Sequence, residues 1–209
     1  MRGRSVLIAM LWISLVYGLS SSGFDNLWTV NTLEHIPFPA IGHFEPVVWF
    51  GLVNATATMI GLAGTEIARR KVDVRQQAPI VRALMFLTGA TAISMVVFGL
   101  SGNFWLAVVA YWGQFTLRVV SDPIFMTWTN QNVESSVRAT VLSMFAQANS
   151  LGQITGGPLI GAMGSVLSLP VALVSTGLAR IPVSLLFARL VLQGRRTHRD
   201  VALEPGVES

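Results

Sequence analysis

Four polar residues recur at helical spacing inside the long apolar segment 103–128. Tyr111, Gln114, Arg118 and Asp122 follow one another at intervals of three or four residues, which places them on one face of a helix. The phenol and the amide can hydrogen-bond a solute. Arg118 and Asp122, one turn apart, can form a charge pair that acts as a gate in a solute pathway. The alternative is a structural ion pair that fixes the position of the helix.

A second polar group consists of amides in the apolar segment 139–164. Gln147, Asn149 and Gln153 lie near its middle, where they can bind either a substrate or a neighbouring helix, and binding to a helix is favoured. Arg180 lies in the last apolar segment. We expect it to be structural, either paired with an acid or extended toward an aqueous face.

The sequence lacks the patterns of enzyme catalysis and metal binding. His35, His43 and His198 lie in predicted loops or in the tail, with no acid or second histidine at ligand spacing. No glycine-rich phosphate loop occurs. The absence of cysteine excludes disulfides and thiolate ligands. We therefore expect no enzymatic activity, no metal and no cofactor.

The composition indicates that these residues are carried by a membrane protein. Hydrophobic residues make up 52% of the 209 positions and charged residues only 11%, and the mean hydropathy is +0.61. A soluble domain carries about 25% charged residues because its surface faces water, so most of this surface must face lipid. The basic residues form short clusters between apolar segments, which excludes the continuous basic patch of a nucleic-acid-binding protein.

Six segments are apolar enough and long enough to cross a lipid bilayer, which takes about 20 helical residues. They cover approximately residues 5–24, 46–68, 79–101, 103–128, 139–164 and 166–192. The sequence thus predicts an all-α fold, a polytopic bundle of six transmembrane helices over residues 1–194. A disordered cytoplasmic tail is expected at 195–209.

The charges of the connections predict the orientation of this bundle. Basic residues fall in every second connection: Arg2, Arg4, Arg69, Arg70, Lys71, Arg75, Arg138, Arg195, Arg196 and Arg199. The positive-inside rule places that side, with both termini, in the cytoplasm, and the protein in the inner or plasma membrane. Residues 1–23 also have the basic start, apolar run and small residues of a cleavable signal peptide, an alternative that stays open.

Small residues dominate the fifth apolar segment. Gly152 and Gly156 are four apart, as are Gly157 and Gly161, a spacing that lets a neighbouring backbone approach closely. Pro158 removes one intrahelical hydrogen bond and is expected to kink the helix. Helix packing is therefore the prediction for this motif.

Together with the preceding Arg138-Ala-Thr and Ser143, this Gly-x-x-x-Gly-Gly-Pro-x-x-Gly run resembles the eleventh helix of major facilitator superfamily transporters. In that family the eleventh helix is the structural repeat of the fifth helix, which carries the glycine–proline motif in drug/proton antiporters. The first segment, which ends at residues 23–28, is similar to their seventh helix. Residues 61–70 are similar to the cytoplasmic loop signature that is repeated in these transporters. Two positions differ, because Thr65 occupies the position of the acid in that signature and Glu66 the position of an arginine.

The resemblance implies the C-terminal six-helix half of such a transporter, with a small-molecule substrate between two halves. It implies secondary active transport by alternating access, with efflux favoured and a proton as a possible coupling ion. Asp25 would line the outer vestibule, and Glu66 and Arg69 would belong to the gating loop. The alternative for Asp25 is a solvated acid beside an aromatic anchor at the membrane interface. One bundle cannot enclose a cavity, so a second half or a homodimer is expected. The alternative is a non-transporting membrane interaction protein derived from a truncated transporter.

Overall fold

A computed structural model describes residues 2–39, 44–72 and 76–202, and the side chains of 7–39, 44–72 and 76–191. The described residues contain no β-strand, so the predicted all-α fold class is confirmed. The α-helices are α1 (Arg2–His35), α2 (Pro46–Lys71), α3 (Gln77–Leu100), α4 (Phe104–Asn132), α5 (Arg138–Val166), α6 (Leu169–Leu178) and α7 (Ile181–Ala202).

Four segments of the described chain are long enough and apolar enough to cross a membrane. They are Leu7–His35, Pro46–Lys71, Gln77–Leu100 and Leu169–Val191, the last of which joins α6 to the start of α7. Helices α4 and α5, with 29 residues each, have sufficient length. They are not among the four, and they contain most of the polar residues that the sequence singles out.

The first helix is longer than its predicted span of residues 5–24, because it continues to His35. It ends just before Pro37, since a residue that precedes proline disfavours helical backbone angles. This extension places Asp25 and Trp28 inside the helix and not at its end.

The predicted sixth span, 166–192, is divided into α6 and α7. The break precedes Pro182, which lacks an N–H group and whose ring would clash with the carbonyl of Leu178 in a continuous helix. Helix α7 then continues to Ala202, so residues 195–202, predicted as a disordered tail, are helical. Residues 203–209 of that tail lie outside the described residues.

The helices pack as neighbours around two apolar clusters. Helix α1 lies along α5, α3 contacts α4, α6 and α7, and α2 packs mainly on α4. The first cluster surrounds Met10, Tyr17, Leu84, Trp128 and Phe187. The second surrounds Phe24, Trp28, Met95, Phe98, Phe104 and Leu173. Because α1 and α4 each contribute to both, the clusters occupy the two ends of the bundle and leave a middle zone between them.

Candidate functional site

A cavity of about 490 Å³ lies in this middle zone, and every side chain that lines it is polar or charged. Helix α1 contributes five of the lining residues, α4 three and α5 two, and the turn between α6 and α7 contributes Arg180. In a chain that is 52% hydrophobic, such a lining is a strong departure from the average. Polar groups at this depth are costly unless they are paired or face water or a ligand.

An ion pair joins α1 to α4 at the cavity. Arg118 Nη1 lies 2.8 Å from Asp25 Oδ2 and 3.0 Å from Oδ1. Arg118 is near the middle of α4. The partner is Asp25 and not Asp122, so the predicted charge pair within α4 is wrong. The pairing is possible because α1 continues as a helix past residue 24 and carries Asp25 opposite α4.

Asp122 lines the cavity but has no close partner in the described part of the chain. It forms no ion pair and accepts no hydrogen bond from any described residue, and its side chain is exposed. Pro123 follows it within α4. Asp122 thus lies on the cavity wall.

Arg180 is buried at the break between α6 and α7, with only 3% of its surface exposed. Its Nε donates to Ser20 Oγ at 2.7 Å and its Nη2 donates to Ser21 Oγ at 2.8 Å. The guanidinium carbon lies 4.9 Å from the centre of the Tyr17 ring. The predicted acid partner and the extension to an aqueous face are both wrong, because neutral hydroxyls and an aromatic ring surround this cation.

The amides of α5 divide between two roles. Asn149 Nδ2 donates to the carbonyl of Ser14 on α1 at 3.2 Å, and Gln153 Nε2 donates to Asn149 Oδ1 at 2.6 Å. Both residues line the cavity, so Asn149 serves the helix contact and the cavity at once. Gln147 is exposed and does not line this cavity.

Tyr111 and Gln114 do not line the cavity, although the sequence predicts them there. The Tyr111 hydroxyl donates to Asn54 Oδ1 on α2 at 2.7 Å, and its ring centre lies 4.2 Å from that of Trp28. Gln114 is fully buried, and neither its Oε1 nor its Nε2 has a hydrogen-bond partner among the described residues. In the N-terminal half of α4 the neighbouring helices cover the face that the spacing selects, and the cavity begins only at Arg118.

The glycines of α5 determine how closely it approaches α1. A Cβ added at Gly152 would collide with the backbone of Leu15, and one at Gly156 would collide with the backbone of Leu19. At Gly157 it would meet Asn26 Nδ2 at 2.9 Å, whereas at Gly161 nothing lies within 4 Å. The first two glycines therefore lie at the interface with α1. Gly161 faces open space, and Pro158 is exposed on the same helix.

The predicted gating residues at the end of α2 form local pairs. Glu66 contacts Arg69 at 3.0 Å and Arg70 at 2.8 Å, and both arginine side chains are more than three quarters exposed. No residue of α2 lines the cavity. In the structure these charges stabilise the end of a helix and lie apart from the candidate site.

Some cavity residues were missed by the sequence analysis. Tyr17, Ser21, Ser22 and Ser121 line the cavity. The serine run at 20–22 was interpreted as part of a signal-peptide pattern, although hydroxyls in an apolar segment are also a signal for a polar path. Among the described residues, no group of histidines and acids is arranged to hold a metal ion. His43 lies outside those residues.

No protein-family model matches this sequence, and no curated protein matches it either. The motifs in residues 61–70 and 138–161 thus remain the basis of the family resemblance.

Proposed function

We propose that this chain is the six-helix half of a secondary transporter of the major facilitator type, which moves a small polar solute across a cell membrane by alternating access. The observation that carries the proposal is the polar cavity between two apolar clusters. Its volume of about 490 Å³ lies within the range of small-molecule sites. A position near the middle of the helices is where secondary transporters bind their substrates.

All six segments cross the membrane in this proposal, α4 and α5 included. Helix α4 packs between α2 and α3, two of the segments that are apolar enough to span. Helix α5 lies along α1, which is a third. The polar residues that face the cavity lower the mean hydropathy of α4 and α5, but they do not expose charge to lipid. In this proposal both termini lie in the cytoplasm, which the positions of the basic clusters support.

A second bundle completes the site. Asp25, Asn26, Asp122 and Gln153 are exposed in the single chain, and lipid cannot solvate a carboxylate or an amide. A second six-helix half or a second copy of this chain must therefore cover them. Rocking of the two bundles would open the cavity to either side in turn. The glycine–proline motif favours efflux, with a proton as the coupling ion.

The natural absence of cysteine allows a direct test by thiol labelling in membranes. Ser22→Cys on α1 and Ser121→Cys on α4 place single thiols in the cavity. Thr58→Cys, exposed on α2 away from the cavity, is the control. We expect a membrane-impermeant thiol reagent to label both cavity positions from either side of the membrane and to leave Thr58→Cys unlabelled.

Labelling of the cavity positions from one side alone would contradict alternating access and favour the non-transporting interaction protein. If the labelling is two-sided, uptake and efflux of a solute panel in vesicles, with and without a proton gradient, would test direction and coupling. Transport that is independent of the gradient would exclude the proton as the coupling ion.

A further inference from the structure

We infer that the cavity binds a small zwitterion, whose anionic group pairs with Arg180 and whose cationic group pairs with Asp122. This inference rests on the proposed function and names the substrate class. It follows from the charges that line the cavity, their partners and the neutral groups between them.

Arg180 supplies the anion-binding end of the site. The guanidinium is buried, and it donates hydrogen bonds to the hydroxyls of Ser20 and Ser21. Within the described part of the chain it has no carboxylate partner at ion-pair distance. A buried cation that no carboxylate contacts is costly. Because Arg180 lines the cavity, a carboxylate bound there would supply this contact through charge-assisted hydrogen bonds.

Asp122 supplies the opposite end. Its carboxylate lines the same cavity and lacks both an ion pair and a hydrogen bond among the described residues. An ammonium group in the cavity would neutralise it. Arg118, one turn away, does not serve this role because it pairs with Asp25 at 2.8 Å.

The balance of these charges selects a zwitterion. The Arg118–Asp25 pair is neutral in itself, which leaves one unpaired cation, Arg180, and one unpaired anion, Asp122. A purely anionic solute would leave Asp122 without a partner in contact, and a purely cationic solute would leave Arg180 without one. Inside a membrane each charge that lacks such a partner is costly. A solute that carries both charges removes both costs.

The rest of the lining fits a hydrophilic body between the two charged groups. Ser22, Asn26 and Gln153 line the cavity with hydroxyl and amide groups that can donate and accept hydrogen bonds. No apolar side chain contributes to the lining. Free amino acids with polar side chains have this chemistry, and the volume of about 490 Å³ accommodates them.

The test measures binding to the full chain in lipid nanodiscs by calorimetry. The probes are the common polar amino acids, each in three forms: the free zwitterion, the anionic N-acetyl derivative and the cationic amide. We expect at least one free amino acid to bind about tenfold or more tightly than both of its derivatives, since removal of one partner of a charge pair is costly. Equal affinity of the three forms, or no binding of any zwitterion, would overturn the inference.

Two substitutions separate a binding role from a structural one. Asp122→Asn is expected to remove the preference for the zwitterion over the N-acetyl derivative while the preference over the amide remains. Arg180→Gln is expected to do the reverse. Glu134→Gln and Arg189→Gln, at exposed positions outside the cavity, are the controls and should change neither preference. If Arg180→Gln fails to fold, Asp122→Asn decides the matter alone, because its exposed side chain forms no hydrogen bond or ion pair with the described residues.

The outcomes also separate this inference from the proposed function. Two-sided thiol labelling without a preference for zwitterions would leave the transporter proposal intact and remove the substrate class. Zwitterion binding with one-sided labelling would retain the site and remove alternating access.

Discussion

The α1–α5 and α2–α4 interfaces join helices in opposite ways. At the α1–α5 interface the backbones approach so closely that Gly18, Gly152 and Gly156 leave no room for a Cβ atom. At the α2–α4 interface side chains make the contact. The Tyr111 hydroxyl bonds to Asn54, and Trp112 Nε1 donates to the carbonyl of Val53 at 3.1 Å. Within an apolar stretch of 18 residues in α2, only 17% of the residues are buried, against 39% in the corresponding stretch of each of the other three candidate spans.

This difference indicates which parts of the bundle hold the cavity in shape. Helices α1 and α5 supply most of its lining, and their close contact fixes Asn149 beside Ser14. Helix α2 contributes nothing to the lining and has a largely uncovered surface. Substitutions at the first interface should therefore affect folding and the cavity together, whereas those at the second should act locally on α2.

The largest effect is expected for Gly152→Leu. A side chain at this position meets the backbone of Leu15, which cannot move aside by changing a rotamer. We expect destabilisation of more than about 3 kcal/mol, at the upper end of overpacking costs. Thermal unfolding in detergent and the fraction of monodisperse protein in size exclusion measure it.

Gly161→Leu is the matched control, because it makes the same change in the same helix where nothing lies within 4 Å. Higher helix propensity should leave its stability equal or slightly increased. Equal losses for both variants would show that the α1–α5 interface is looser than described.

A smaller effect is expected for Asp25→Asn, which breaks the ion pair between α1 and α4. The Arg118 side chain is 21% exposed and that of Asp25 is 45% exposed. The cost should therefore lie between those of exposed and buried pairs, at about 1–2 kcal/mol. A double-mutant cycle with Arg118→Gln measures the coupling, and Glu34→Gln on the same helix is the control. Additive effects in the cycle would contradict a direct pair.

Tyr111→Phe tests the second interface. It removes the hydroxyl that bonds to Asn54 and leaves the ring beside Trp28 in place. The expected loss is about 1 kcal/mol, typical of a single hydrogen bond. Because α2 packs mainly on α4, hydrogen exchange should rise in α2 and stay unchanged in α1 and α5. A uniform rise across the chain would show that α2 is coupled to the whole bundle.

The smallest effect is expected for Glu66→Gln at the end of α2. Its partners Arg69 and Arg70 are 76% and 77% exposed, and such exposed helical pairs contribute little to stability because water screens them. The difference from the unmodified protein should disappear at high salt, which screens exposed charges. Thermal unfolding at low and high ionic strength checks it. A loss as large as that of Asp25→Asn would contradict the assignment of a local role.

The positions of the helices were largely predictable because hydropathy and proline act locally. Five of the six predicted spans lie within or nearly within single helices of the structure. Two of the errors concern helix boundaries that prolines set. Pro37 marks the end of α1, eleven residues beyond the predicted span, and Pro182 divides the last span.

The candidate site was only partly predictable, because helical spacing does not reveal what covers a face. Arg118 and Asp122 line the cavity, whereas Tyr111 and Gln114 on the same predicted stripe are covered by neighbouring helices. Asp25 was predicted at a helix end, and its pairing with Arg118 connects residues far apart in the chain. Arg180 was assigned a structural role, because no pattern around it in the sequence indicates that its guanidinium binds Ser20 and Ser21 of α1.

The sequence by itself determined the helical character of this protein, the apolar segments and the clustering of its basic residues. These depend on composition and on intervals of a few residues, which act within one helix. The tertiary structure alone decided which charges pair, which amides are buried and which polar groups surround the cavity. Those outcomes depend on the close α1–α5 contact and on the break before α7, which bring Asp25, Arg118 and Arg180 to one place from distant parts of the chain.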